Sequence, residues 1–390
     1  MANNSNRNRN DRNYALEKFD VDIRPASNKR PSGNNKKRKK QGPMASVLPQ
    51  SGDSGAEKAR KTLLLLAIAI LIGTLAFLAW QLIGINKGGQ TNSNIADIAG
   101  EPMPEISYQQ PSHIANPTDV IATTAGTLEP EITDLTPVVN KPIEANWDVL
   151  KAENPDIKAW VKITGTMLND AVVQGTDNEY YLNHDFYGNE SISGTVFSTY
   201  KNDWNDPNDK NKILFGHNME SGYFFAYVMH YVPDDKYTEP LTFYKTHPTV
   251  LMSTPEGGSA TYKIFAGILA NTEPQYGEVF DYISKTRFDG VDDFNNYIID
   301  IMDRSWFFTD VDLTYGDELL TMSTCYWPLG RNIDTRWVLF ARKVRPGESE
   351  EVDTSVAERN YQAKIFDYYY DIKGGSWNGS VWDRSKLLSY

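Results

Sequence analysis

Glu318–Lys343 reads ELLTMSTCYWPLGRNIDTRWVLFARK. Two apolar runs, Glu318–Ser323 and Arg336–Lys343, flank a segment holding Pro328, Gly330, Arg331 and Asn332, which predicts two neighbouring strands joined by a loop. Working outward, similar short runs recur at Ala159–Ile163, Ala171–Gln174, Gly194–Phe197, Lys212–Phe215, Thr249–Ser253 and Ala260–Leu269, with turn residues between them. Glu256-Gly257-Gly258 marks a hairpin turn between the last two. Helical spacing is confined to Asn146–Glu153 and to the stretch from Val291 to Phe308, where Phe294, Tyr297, Ile298 and Ile301 share a face. About eight short strands with few helices predict a mainly β body, a closed barrel with peripheral helices.

Charge divides the chain before the barrel begins. Residues 1–61 carry 15 Lys and Arg against 6 Asp and Glu, and residues 62–85 carry none. Since the whole chain sums to −12, the residues after Ile85 sum to −21. Between the basic arm and the acidic body lies Thr62–Ile85, TLLLLAIAILIGTLAFLAWQLIGI, with Gln81 its one strongly polar side chain. As a helix it reaches about 36 Å, enough for a hydrocarbon core of about 30 Å, so the chain is read as having a single transmembrane helix before its barrel. Lys58, Arg60, Lys61 and the Lys36–Lys40 cluster precede it, and only Lys87 follows closely. The positive-inside rule then puts residues 1–61 in the cytoplasm as a disordered tail and everything after residue 85 outside the cell. The length of the basic arm argues for an uncleaved anchor in the cell membrane over a signal peptide. Its Asn, Ser, Lys and Arg content suits topology and contact with anionic lipid, and no nucleic-acid partner is expected. Residues 86–140, rich in Pro, Thr, Asn and Gly, read as an extracytoplasmic linker, and 141–390 as the catalytic domain with a C-terminal extension beyond Val344.

The candidates for chemistry are few. His113, His184, His217, His230 and His247 form no metal-ligand spacing, and a single cysteine builds neither a zinc cluster nor an internal disulfide. There is no phosphate-binding glycine loop, so no metal or other cofactor is expected. What remains is Cys325 with a histidine. A thiolate is the working nucleophile, and it needs a base or a cation beside it. Cys325 ends one strand, His217 ends Lys212–Gly216, and Arg336 begins the strand after the cysteine, so a barrel can gather all three at one rim. By pattern alone a lone cysteine is more often a packed residue, a His beside Gly a turn residue, and an Arg at a strand start a solvated edge.

The motifs carry more than the pattern. Thr321-Met322-Ser323-Thr324-Cys325 resembles the (T/S)LxTC signature that ends in the nucleophile of sortases, with Met322 where Leu is usual. Leu214-Phe215-Gly216-His217-Asn218-Met219 resembles their histidine motif and Thr335-Arg336-Trp337-Val338 their arginine strand; Arg331 is a rival for that last role. Val173–His184, VQGTDNEYYLNH, is similar to a segment of class B sortases, followed by Gly194-Thr195-Val196-Phe197. The resemblance runs from Asn146 to Val344, and the late helix matches what class B members add to the barrel. It departs after the cysteine, where Tyr326, Trp327 and Pro328 stand in place of acidic residues.

The resemblance implies a sortase-like barrel and a cysteine transpeptidase. Cys325 would attack the Thr carbonyl of a C-terminal sorting motif on an exported protein. An amine of a peptidoglycan cross-bridge or of a pilin would then resolve the thioacyl enzyme. His217 would act as acid and base, Arg336 would stabilise the oxyanion, and Asn178, Leu182 and Ser323 would lie along the substrate groove. Two other classes share the same residues: a membrane-anchored cysteine peptidase that releases its acyl enzyme to water, and a binding module with an inert Cys325.

Overall fold

The computed structural model describes residues 47–104, 135–219, 221–233 and 241–388. Most of the basic arm, and residues 105–134 of the stretch read as a linker, His113 among them, lie outside the described residues. The chain divides into two units, Met1–Ile72 and Gly73–Tyr390. The boundary falls within the first helix, α1 (Gly55–Ala99), which contains a stretch long and apolar enough to cross a membrane. Leu63, Ile70, Leu75, Trp80 and Ile83 along it are all exposed to the surroundings rather than packed on protein.

A short helix α2 (Trp147–Glu153) leads into the sheet, N-capped by Asn146, whose side chain accepts from Val149 N. The strands are β1 (Ile157–Lys162), β2 (Asn169–Val173), β3 (Phe197–Ser198), β4 (Asn211–Phe215), β5 (Thr249–Thr254) and β6 (Gly258–Asn271). They continue after helices α3 (Thr242–Thr246) and α4 (Val291–Arg304) with β7 (Phe307–Phe308), β8 (Leu313–Thr314), β9 (Leu319–Cys325) and β10 (Thr335–Lys343). Eight of them close a barrel in the order β1-β2-β3-β4-β9-β10-β6-β5, with β5 pairing back onto β1. These are the eight strands that the sequence pattern marks. β7 and β8 are two-residue strands too short to leave a pattern.

Alternation sorts the side chains. Val161, Val172, Leu214, Met252, Leu320 and Leu339, from six of the strands, meet in one cluster, as a barrel interior requires. The opposite alternation, Ile213, Phe265, Val338 and Phe340, is covered by Phe294, Ile298 and Ile301 of α4. That is the helical stripe read in the sequence, now seen covering the outer face of β4, β6 and β10.

Two regions extend beyond the sequence reading. α1 does not stop at Ile85 but continues to Ala99, and Ile95, Ala96 and Ala99 are buried with Ile143, Leu150 and Trp160. Lys162 Nζ pairs with Glu101 at 2.7 Å, and Asn169 Nδ2 donates to the Glu101 carbonyl at 2.8 Å. The C-terminal extension is strapped to the barrel. Its strands β11 (Glu358–Arg359) and β12 (Leu387–Leu388) pair with β7 and β8, and α5 (Asp367–Lys373) lies between them in sequence. Phe366 and Trp382 are buried in the two main clusters.

Candidate active site

β9 runs parallel to β4 and antiparallel to β10, so three strands meet at one rim. The β4–β9 register ends at Phe215↔Ser323. His217 and Cys325 each lie two residues beyond that pair, Cys325 as the last residue of β9 and His217 in the loop that leaves β4. The approach is pinned on both sides of the histidine: Gly216 N donates to Ser323 O at 3.3 Å, and Thr324 Oγ1 donates to Gly216 O at 2.8 Å. Asn218 Nδ2 then donates to Cys325 O at 3.2 Å. On the other flank Arg336 is the direct cross-strand partner of Cys325, and side chains directly opposite in an antiparallel pair share a face with Cβ atoms about 5 Å apart. Arg336 thus faces Cys325 across the sheet, and the backbone on either side of His217 is tied to the end of the cysteine strand.

The histidine ring is oriented from a third segment. His217 Nε2 lies 2.7 Å from the carbonyl oxygen of Leu182. A carbonyl only accepts, so Nε2 carries the hydrogen and Nδ1 is left to exchange protons. Leu182 ends a 3₁₀ turn, Tyr180–Leu182, and its side chain is 42% exposed.

Electrostatics at the thiol are opposed. Burial pushes the Cys325 pKa above its ordinary value, the Arg336 guanidinium pulls it back, and Asp334 adds to the rise. Burial works against the charge of Arg336, but Cys325 and Asp334 outweigh it and keep the guanidinium protonated. For Asp334 burial would raise the pKa, yet its hydrogen bond and charge pairing with Arg336 hold it below the usual carboxylate range. Arg336 Nη1 is spent on Asp334 Oδ1 and Thr335 O, while Nε and Nη2 have no hydrogen-bond partner among the described residues. Those donors suit a transient oxyanion.

The other expected residues divide. Ser323 is 1% exposed, and its hydroxyl lies 2.8 Å from Tyr282 Oη, so as folded it offers no surface to a peptide. Asn178 Oδ1 accepts from Tyr200 N at 3.0 Å, which ties its loop to the turn after β3. Arg331 stacks over Trp327 at 5.3 Å, away from the Cys325 register position that Arg336 fills. Among the described residues no group of three His, Cys, Asp or Glu could hold a metal ion.

Comparison with known proteins finds class B sortases. No family model matches the chain. Sortase B of Listeria monocytogenes is 30% identical over 176 residues, 45% of this chain and 65% of that protein. Sortase B of Staphylococcus aureus is 27% identical over 183 residues, 47% of this chain and 68% of that protein. The crystal structure of Clostridium perfringens sortase B is 31% identical, with 51% of this chain aligned to all of that one, at a TM-score of 0.44. Over about half of its length the chain is similar to these class B sortases.

The sequence reading missed two residues that contact this cluster. Asp334 binds Arg336 and is itself held by Thr272 Oγ1 at 2.9 Å. Its only sequence signal is a carboxylate two residues before the arginine. Tyr282 reaches the site from the segment between β6 and α4, where burial, eased by the Ser323 hydrogen bond, pushes its phenol up to about 12. Nothing local in the sequence marks it.

Proposed function

We propose that this sortase-family chain is a membrane-anchored transpeptidase of exported proteins, with Cys325 as nucleophile, His217 as acid and base, and Arg336 as oxyanion stabiliser. The observation that carries this reading is the register: Arg336 directly opposite Cys325, and His217 two residues past the β4 residue level with Ser323. The thiol proton passes to His217 Nδ1, and the sulfur attacks the Thr carbonyl carbon of the sorting motif. The resulting oxyanion draws on the unpaired donors of Arg336. As the C–N bond breaks, His217 returns the proton to the departing amine and a thioester remains. An amine of a peptidoglycan cross-bridge or pilin then loses a proton to Nδ1 and attacks the thioester, and the C–S bond breaks to restore the thiol. The raised thiol pKa means that this proton transfer accompanies attack, since little thiolate stands ready at neutral pH.

In this reading α1 anchors the protein with its N-terminus in the cytoplasm and the barrel outside, where a tethered enzyme meets membrane-held substrates at high effective concentration. Leu182, exposed beside the His217 ring, and Asn178, in the loop before it, line the approach, and Ser323 holds Tyr282 by a hydrogen bond. The test uses the full chain in detergent with a panel of sorting-signal peptides, with and without a diamine or oligoglycine, read by mass spectrometry. Amine-linked product is expected. Cleavage indifferent to the acceptor would make the chain a peptidase, and no reaction at all would leave a binding module.

A further inference from the structure

Gly88 and Gly89 lie within α1, where each costs about 1 kcal/mol relative to Ala. Both sit hard against the barrel. A Cβ on Gly88 would come within 2.5 Å of Ser193 Cβ, and one on Gly89 within 2.5 Å of Tyr223 Cε2. The two segments they touch are the two that hold His217. Ser193 lies between Ser191, whose N donates to Asn183 O at 2.8 Å, and Thr195, whose N donates to Tyr181 O at 3.0 Å. That pair of bonds brackets Leu182, whose carbonyl orients the His217 ring. The packing there is close: a Cβ on Gly194 would stand 2.7 Å from Leu182 O. Tyr223 is two residues before Phe225, whose N donates to His217 O at 3.1 Å, and Asn218 bridges to Phe224.

We propose that the turn of α1 carrying Gly88 and Gly89 is a positioning element of the active site, holding the ring of His217 through Ser193 and Leu182 and its backbone through Tyr223 and Phe225. The proposal rests on the reading of His217 as catalytic acid and base. It makes the glycines sites of close approach rather than linker residues.

The test compares full chains in lipid vesicles: wild type, Gly88→Ala, the double variant Gly88→Ala with Ser193→Gly, and Gly73→Ala, where nothing lies within 4 Å of the new Cβ. Gly→Ala in a helix ordinarily stabilises, so loss of function with intact circular dichroism reports geometry. Because an error of about 1 Å in a catalytic group can cost 10²-fold, Gly88→Ala is expected to lower kcat/KM by about 10- to 100-fold. It should also shift the pH profile of iodoacetamide alkylation at Cys325. Ser193→Gly, which removes the colliding atoms, should return both toward wild type, and Gly73→Ala should change neither. A Gly88→Ala chain that matches wild type would overturn the proposal, as would one whose activity falls only with its folded fraction while the alkylation profile stays put. A wild-type chain that transfers no peptide would sink the transpeptidase reading instead, and the alkylation profiles would still decide for or against the buttress.

Discussion

β10 carries an arginine at each end, and the two are used in opposite ways. Arg342 has 1% of its side chain exposed and every donor group occupied: Nε on Asp312 O, Nη1 and Nη2 on Glu348, and Nη2 also on Asp312 Oδ1. Arg345 and Lys263 extend that lattice to Asp317 and Glu348. Arg336 is 26% exposed and pairs with the carboxylate of Asp334, and among the described residues its Nε and Nη2 have no hydrogen-bond partner. A saturated guanidinium fixes the end of a strand; an undersaturated one next to a nucleophile can meet a charge that forms only during reaction.

Substitution should separate the two. Arg342→Ala leaves Asp312 and Glu348 without their central cation and is expected to cost about 3 to 5 kcal/mol of stability, measured by denaturant unfolding. The folded remainder should keep its turnover number. Arg336→Ala should do the reverse, lowering kcat/KM by about 10²- to 10³-fold while stability changes by about 1 kcal/mol or less. Arg336→Lys should recover little, because an ammonium cannot hold Asp334 and an oxyanion with one planar fork. Equal losses of stability from both variants would erase the distinction.

The pH dependence sharpens it. Alkylation of Cys325 follows the thiolate, so its rate should rise with pH and reach its midpoint above that of an ordinary thiol, because burial disfavours the charge. Arg336→Ala removes the cation that pulls the thiol down and should move the midpoint higher. Asp334→Asn removes a negative charge and should move it lower. An Arg342→Ala midpoint that moved as far as that of Arg336→Ala would contradict the assignment of roles. The smallest effect is expected at Tyr282→Phe, which deletes the hydrogen bond to Ser323 and should cost about 1 kcal/mol with little change in turnover.

The same contrast explains what the sequence disclosed. The eight barrel strands were legible because each alternates or runs apolar between turn residues, whereas Cys325, His217 and Arg336 were singled out by motifs that resemble those of sortases, since their strand-end positions alone favoured packed or solvated roles. Asp334 and Tyr282 were not, since their importance lies in whom they touch across the fold. The second half of α1 was misleading for a physical reason. Its sequence after Ile85, NKGGQTNSN, has low helix propensity and reads as linker. Burial of Ile95, Ala96 and Ala99 with the Glu101–Lys162 ion pair supplies the tertiary packing that overrides it. The spacing of Gly88, Asn92, Ile95, Ala96 and Ala99 at threes and fours was the available signal, hidden because four of those five are small or polar.

The most direct measurement is the intact mass of the full chain after brief incubation with sorting-signal peptides in the absence of any amine acceptor. The account predicts a hydroxylamine-sensitive acyl adduct that maps to Cys325, disappears on addition of a diamine, and is missing from Cys325→Ala. Peptide cleavage that persists undiminished in Cys325→Ala, with no adduct on the wild-type chain, would contradict it.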